Sequence, residues 1–578
     1  MTERIDSPYG PGLVVDKDSR SMQVDSEQIL RWLAKQTPGF RRDEAFLNQV
    51  TFTGNETPCI PGPIKSQALT SAIHAMAGLV AIEILEQRGI TGQKVEISCD
   101  AAALYCATPI AWRLDDESSV SIMKTSGKLK TIAPLFDEAL RDSALKFRAT
   151  SIYPTSQSHV YYQLHGSTNA KAVLEALNID VDSEEKILKS RDEAYNYISR
   201  IMMKYTASEL DSLFTSKGLC GSTCFRPDQW LKTEMGQEMS RHPLVSCVKI
   251  EDCDPVPLSR LENAQEEVED VRPLVGIKVV ELARIIAAPA LGQNLAALGA
   301  QVVKIQSKSM VDLSYLQFTL TAGKDTVDMD LNQDGDRDEL IRLISDADVI
   351  IDGFRPGALA RHGVGLDHAL DVARQRNRGV IYVNESCFDT PPGSSHPWSK
   401  RPGWQQVADA AAGSSYVMGR AYNCEEEKCV LPSLPISDMS TGAVALVSTL
   451  IGLRDRCISG GSYLATASLT RYNMASLHEE VGLYSKRTVE EISRRFDFPP
   501  MTPDMHVNEL FFLIHDKWME HNGPMAYSSL WTHFEKSSFN ASITIPKPVI
   551  AFEHSRCTPI WTSPPKSFAS MPIKDYRW

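Results

Sequence analysis

Residues 274–306, LVGIKVVELARIIAAPALGQNLAALGAQVVKIQ, constrain the fold more than any other stretch of the chain. An apolar run through Val279, Val280 and Leu282 ends at Ala283. A turn of small and apolar residues follows, then a helical pattern over 289–298, then Gly299 and a second apolar run over 301–305. Short apolar runs on either side of a helix are the pattern of a βαβ unit, whose strands lie parallel in one sheet. The spacing predicts a Rossmann-like, doubly wound α/β core. The turn is wrong for a dinucleotide. The fingerprint glycines that let a backbone approach a pyrophosphate are replaced by Ala283-Arg284-Ile285-Ile286-Ala287-Ala288-Pro289. A different ligand is expected at the switch point.

Composition excludes several classes. At 578 residues the chain is long enough for several domains of about 100–200 residues each. A formal net charge of −13 and the lack of a long basic run argue against a nucleic-acid groove. The longest apolar helix-like run, 443–453, falls short of the roughly 20 residues that cross a bilayer, so no membrane partner is expected. The 12 cysteines are scattered. The closest pairs, Cys220/Cys224, Cys247/Cys253 and Cys424/Cys429, lack metal-site spacing, and CGSTC reads as a loop with two small thiols. No HExxH or clustered histidine spacing occurs among the 13 histidines, so neither a metal nor a tightly bound cofactor is expected. No GxSxG elbow is present, which disfavours an α/β-hydrolase thioesterase. MTERIDSPYG has no apolar stretch of a secretory signal, and KDYRW is not a peroxisomal signal of the SKL type. The expectation is a cytoplasmic chain in a reducing compartment.

The chain carries an internal repeat. Segments 68–98 and 436–466 align without gaps at an offset of 368, with Ala75 on Ala443, Leu85 on Leu453, Arg88 on Arg456 and Gly92 on Gly460. Each copy reads as a helix, a glycine turn and a short strand; the alternative is a chance likeness of two alanine-rich helices. Asp438 of the second copy falls on Thr70 of the first. A polar, glutamate-rich stretch, 259–270, reads as a linker between a half at 1–258 and a half at 271–578. The second half divides into a core at 274–395, a helical region at 396–480 and an extension at 481–578. The extension has amphipathic helices, then a proline-rich, extended tail.

Four ordered segments resemble the class III CoA-transferase family, also called CaiB/BaiF. Ala287-Ala288-Pro289 followed by LAALGAQVVKIQ is similar to the family's Ala-Gly-Pro turn and "LADLGAEVIKIE". AGKDTVDMDLN (322–332), ADVIIDGFRPGALARHGVG (347–365) and the segment leading to Asp438 follow in the family's order. The resemblance covers roughly 270–475. It implies that Asp438 attacks an acyl-CoA thioester, because a carboxylate can form a mixed anhydride that CoA thiolate then attacks. A helix N-terminus would hold that carboxylate ionised. From pattern alone, a plain helix cap is the favoured reading of Asp438, and it is the resemblance that turns the reading to a nucleophile. The resemblance places CoA against Ile286 and Ala287, with Arg361 at the nucleotide and Lys324 and Arg355 as further basic candidates. The family's acid after "VIKI" is Gln306 here, with Lys308 as a substitute contact. Residues 159–255 resemble the family's smaller α+β domain, and the first half a degenerate family copy.

Trp404 separates two activities. The resemblance puts it where α-methylacyl-CoA racemases carry a histidine, and a two-base racemase needs a titratable group on each face of the α-carbon. Tryptophan cannot serve, which favours transfer; a merely packed aromatic is the other reading. Gln405 is expected to orient the acyl group. The glycine-rich loop of formyl-CoA transferases has no counterpart here, which weighs against a formyl/oxalate pair. The leading expectation is a CoA-transferase acting on an acyl-CoA and a carboxylic acid. It would be a pseudo-dimeric monomer or a homodimer, with one site per chain and a purely structural first half. A racemase of the same family and a non-catalytic CoA-binding or scaffold protein are the alternatives.

Overall fold

The computed structural model describes residues 4–578 apart from 18–19, 134–142, 262–269, 311, 389–397 and 399–400. Most of the linker expected at 259–270 therefore lies outside the described residues.

Eight strands form the central sheet: β1 (Ser246–Glu251), β2 (Lys278–Leu282), β3 (Gln301–Gln306), β4 (Asp325–Asp328), β5 (Val349–Asp352), β6 (Ile381–Ser386), β7 (Ser462–Ser468) and β8 (Met571–Pro572). Their order is β1-β7-β6-β5-β2-β3-β4-β8, parallel throughout except for β1, which runs antiparallel on β7. Numbered from β2, the six inner strands follow 3-2-1-4-5-6, the doubly wound order whose ligand crevice opens where the winding reverses. Here the reversal lies between β2 and β5. Val279 pairs with Val302 on one side and Val349 on the other, which fixes the register.

Both faces of this sheet are buried, which is why its strands read as continuous apolar runs rather than alternating ones. Val279, Ile351, Ile381 and Val383 face one core, and Val280, Ile350, Tyr382 and Leu464 face the other. The first core is filled by three helices: α1 (Ser66–Gln87), α2 (Ala287–Ala297) and a long one that follows α3 (Gln405–Ala412), namely α4 (Ile436–Ser459).

The two copies of the repeat, α1 and α4, lie side by side and run in the same direction. Thr70 meets Ser440 at 2.8 Å near their N-termini, and Glu83 pairs with Arg454 at 2.7 Å near their C-termini. Helix α4 is far longer than the run at 443–453 suggested, because its first and last turns are polar. By length and composition α1 and α4 could each cross a bilayer, but 94% of each apolar window is buried inside the protein. They are the paired core helices of the molecule. On its other side α4 meets α2 so closely that a Cβ at Gly442 would lie 2.6 Å from the Ala287 carbonyl oxygen.

The halves expected on either side of 259–270 separate in sequence but not in space. Strand β1, from the first half, edges the second half's sheet. Ile543–Pro546 pairs with Arg113–Leu114, and Ile550–Phe552 with Val95–Ser98. The Trp518 indole N–H donates to the Cys59 carbonyl at 3.0 Å. The smaller domain is a three-stranded antiparallel sheet, Ser151–Pro154, Tyr161–His165 and Cys220–Thr223, covered by Arg191–Met202 and Ala207–Ser216. CGSTC is thus a buried strand rather than a loop, and all 12 cysteines are free thiols.

Two outcomes follow from this interlocking. A protein beginning at Val271 should be insoluble, because its C-terminal strands lose their partners and α4 loses α1. Gly442→Ala should lower the unfolding free energy by about 1–3 kcal/mol in chemical denaturation, the usual cost of overpacking. A soluble, cooperatively folding truncation would contradict the first.

Candidate active site

The strand ends at the sheet's reversal open onto a cavity of about 410 Å³. The turn after β2, Arg284 to Ala287, forms one wall; Arg355 and Arg361, after β5, lie at its exposed mouth. Glu385 at the end of β6, Trp404 and Asp438 form the inner end. Ser167 and Thr168 of the smaller domain complete the wall, so the first half contributes to this site and is not purely structural. The small domain is held over it by several contacts. The Arg401 guanidinium donates to the Gly221 carbonyl at 2.7 Å and pairs with Asp211, and Phe225 N–H donates to the Ala410 carbonyl at 3.0 Å. A second cavity, about 230 Å³, adjoins the first through Arg284, Met310, Phe354 and Ala358. Its apolar wall includes Leu282, Ile305, Met329, Leu359 and Phe568.

Asp438 sits in the first turn of α4, and no described residue donates a hydrogen bond to its carboxyl group. Its backbone N–H donates to Gln405 Oε1 at 3.3 Å, and Gln405 Nε2 donates to the Leu434 carbonyl at 2.8 Å. Gln405, expected at the acyl group, instead has both polar ends committed to the turn that presents Asp438. The charge expectation is also corrected. Burial, then Glu385, then Asp409, push the Asp438 carboxyl well above the usual range, despite the helix N-terminus. Asp409 lies behind it. Ser437 Oγ and Asn473 Nδ2 donate to its Oδ1 at 2.8 and 2.9 Å, and burial raises it to about 7 against these hydrogen bonds. Burial, with Asp352 adding to it, pushes Glu385 up to about 8. Burial raises Asp352 to about 6 against the hydrogen bond from the Tyr382 hydroxyl at 2.8 Å.

Ile286, Ala287, Arg355 and Arg361 share the cavity with Asp438. Ile285 adopts φ +70°, a left-handed conformation that a β-branched residue takes only under constraint. It turns the chain abruptly from β2 into α2. Two expected contacts lie elsewhere. Lys324 is fully buried, with Nζ 2.6 Å from Glu281 Oε2 and 2.7 Å from the Pro289 carbonyl, in space that Gly292 leaves open. Lys304 holds the other Glu281 oxygen at 2.6 Å. The alternation of strands and helices gives no sign of this trio, because a buried lysine and a surface lysine look alike in sequence. Lys308 is exposed and pairs with Asp328 at 3.6 Å. Gln306 lines the second cavity; its Oε1 accepts from Ala569 N–H at 2.9 Å, and its buried Nε2 has no partner among the described residues.

Trp404 precedes α3 and stacks on His165 with ring centroids 5.1 Å apart. His165 is buried and neutral. Its Nδ1 accepts from Ser167 N–H at 2.9 Å and its Nε2 meets Gln406 Oε1 at 3.0 Å, while burial lowers it to about 4. Sequence reasoning missed Glu385. The signal was a charged residue, NES, ending an otherwise apolar strand at the sheet's carboxyl edge.

The carboxyls predict a pH dependence of stability. Unfolded, they lose their protons near pH 4; folded, Asp352, Asp409 and Glu385 keep them to about 6, 7 and 8. The folded state then binds more protons between these limits, so stability should fall as pH rises from about 4 to 8. Asp409→Asn and Glu385→Gln should flatten that fall in thermal melts. Lys324→Met should destabilise by about 3 kcal/mol, since it leaves Glu281 half-compensated, with no specific effect on ligand affinity. A specific loss of affinity without loss of stability would return Lys324 to the binding surface.

Comparison with known proteins places the chain. The sequence profile of CoA-transferase family III matches residues 274–507. An acyl-CoA transferase of Gibberella moniliformis is 44% identical over 572 residues, covering 98% of each chain. The acetyl-coenzyme A transferase nodX of Hypoxylon pulicicidum is 32% identical over 455 residues, covering 78% of this chain and 75% of that one. A CaiB/BaiF family protein of Brucella suis, whose crystal structure is known, is 26% identical, with a TM-score of 0.29 over 35% of this chain and 55% of that one. Identity sustained along nearly the full length of a relative makes this chain a member of the CoA-transferase family III.

Proposed function

We propose that this protein moves CoA from an acyl-CoA to a free carboxylic acid, with Asp438 as the nucleophile. The observation that carries this reading is the placement of Asp438: a carboxyl group without a hydrogen-bond donor among the described residues, at the inner end of a cavity that opens at the switch point. A structural helix cap would turn its oxygens onto backbone N–H groups. The relatives named as acyl-CoA and acetyl-CoA transferases support the same chemistry.

The exchange balances as follows. The ionised Asp438 carboxylate attacks the thioester carbon, and CoA thiolate leaves with the C–S electron pair, giving a mixed anhydride. The thiolate attacks the aspartyl carbonyl, releasing the donor acid as a carboxylate and leaving an aspartyl thioester. The acceptor carboxylate attacks that thioester, and the freed thiolate takes the new acyl group and restores Asp438. One difficult exchange becomes four acyl transfers of similar kind. The apolar second cavity suits the adenosine of CoA, and Gln306 Nε2 supplies a donor there. Arg355 and Arg361 suit the phosphates. The N–H groups opening α2 at Ile286 and Ala287 face the pantetheine arm. His165 lies behind Trp404 with both ring nitrogens engaged, so it does not restore the base that a racemase has at this position.

Asp438→Ala should reduce transfer by roughly 10³-fold or more while acyl-CoA still binds. Hydroxylamine should trap an aspartyl hydroxamate at position 438 in the wild type and none in the variant. Arg361→Ala should raise the acyl-CoA KM by about tenfold and leave kcat nearly unchanged, as expected for a phosphate contact worth ~1.5–3 kcal/mol. Trapping that survives Asp438→Ala would refute the assignment.

A further inference from the structure

Glu385 is a second carboxyl group in the Asp438 cavity, and the exchange above gives it no part. It ends β6, half-buried, with its side chain at the crevice, and no described residue hydrogen-bonds it. It is close enough to Asp438 to raise that carboxyl further. The groups around it come from every packed element. Asp352 ends the neighbouring strand and holds the Tyr382 hydroxyl. Cys387 lies just beyond the end of β6 and is itself pushed up by burial. Asp438 enters from α4, with Asp409 behind it. Arg284 reaches towards Asp312 at 3.9 Å, and Arg401 is committed to Asp211 and the Gly221 carbonyl. Arg355 and Arg361 stand at the exposed mouth.

An acceptor acid arrives as an anion, and its carboxylate must reach the carbonyl carbon of Asp438. The inner end of the cavity is lined by acids, and its nearest buried arginine is already paired. We propose that Glu385 anchors the acceptor: its carboxylic acid O–H donates a hydrogen bond to the incoming carboxylate as that carboxylate attacks the Asp438 thioester. This rests on the transfer reading above. The proton stays on Glu385; the acceptor oxygen forms the new C–O bond, and the C–S electron pair leaves with the thiolate.

Burial and the neighbouring Asp352 keep Glu385 protonated to about 8, which makes it a donor at neutral pH. A protonated Glu385 also places no charge beside Asp438, so it does not oppose the ionisation that attack requires. An ionised Glu385 would repel both Asp438 and the acceptor. Acceptor use should therefore rise with pH only as the acceptor's own carboxyl ionises, because Asp438 is a thioester at this step, and fall again through about pH 8 as Glu385 ionises.

The test uses the full chain, an acyl-CoA donor and an isotopically labelled monocarboxylic acid as acceptor. Glu385→Gln keeps a donor that cannot titrate. It should hold the acceptor KM within about threefold of wild type and lose the alkaline fall in kcat/KM for the acceptor. Glu385→Ala should raise the acceptor KM about tenfold or more at pH 7 and move the first half-reaction by a smaller factor, since Glu385 adjoins Asp438. That half-reaction is read as hydroxylamine-trapped aspartyl product formed from acyl-CoA alone. If Glu385→Ala does not fold, the pH profile of Glu385→Gln decides by itself. An alkaline limb identical in wild type and Glu385→Gln would overturn the proposal, as would an unchanged acceptor KM in a folded Glu385→Ala. Deuterium entering the acyl α-carbon only when Glu385 is present would also overturn it, by making Glu385 a base. A wild type that traps no aspartyl product would fail the transfer reading itself, a distinguishable result.

Discussion

The packing of helix α4 between α1 and α2 is the constraint on which the rest of the molecule depends. Gly442 lets α4 and α2 approach to backbone contact, so the start of α2 and the first turn of α4 become one rigid corner. The turn after β2 and the Asp438 carboxyl both belong to that corner. On the opposite side α1 closes α4 with the Thr70–Ser440 hydrogen bond and the Glu83–Arg454 pair. Interiors are packed as densely as organic crystals, so a shift of α1 passes through α4 to the cavity wall. The position of Asp438 is therefore set by residues from both copies of the repeat, far apart in sequence.

Electrostatics oppose that placement. Asp438, Asp409, Glu385 and Asp352 crowd buried acids near one strand edge, and desolvation disfavours the charged form of each. The fold tolerates this because most of them hold their protons near neutrality and cost little as neutral groups. Ser437, Asn473 and Tyr382 supply hydrogen bonds to Asp409 and Asp352, and Gln405 fixes the turn at Asp438. Two cavity carboxyls, Asp438 and Glu385, lack such partners among the described residues. Perturbed acids without structural partners, in a crevice at a switch point, are the arrangement expected where chemistry is done.

The core was legible in the sequence because periodicity is a direct print of burial. Val279, Val280 and Leu282 read as the first strand of a βαβ unit, and they are one. The turn at Ile285–Ala287 was legible because a missing glycine fingerprint is itself information. Lys324 was misread because its partner Glu281 stands 43 residues away and nothing local marks a lysine as buried. Gln405 was misread because a polar residue near a nucleophile is read first as a substrate contact; only coordinates reveal that Leu434 and the Asp438 backbone take both its ends. Glu385 went unseen because one acid at a strand end is unremarkable until the strand is placed beside α4. The division at 259–270 was real in composition, but strand pairing between Ile543–Pro546 and Arg113–Leu114 is non-local and leaves no trace in the pattern.

That non-local pairing bears on how the site is assembled. Ser167 and Thr168 wall the cavity from the first half, while Asp438 enters from the second. In one chain these parts are tethered, so their association is governed by an effective concentration rather than by encounter between molecules. Thr70, which falls on Asp438 in the repeat, carries no carboxylate and instead meets Ser440 of α4 at 2.8 Å. What the first half supplies is the packing face of α1 and the small domain: α1 is almost entirely buried, and the Tyr161–His165 strand leads directly to the two residues that close the cavity. One half thus presents Asp438 and the other helps to enclose it, so the cavity forms only where both halves have packed together.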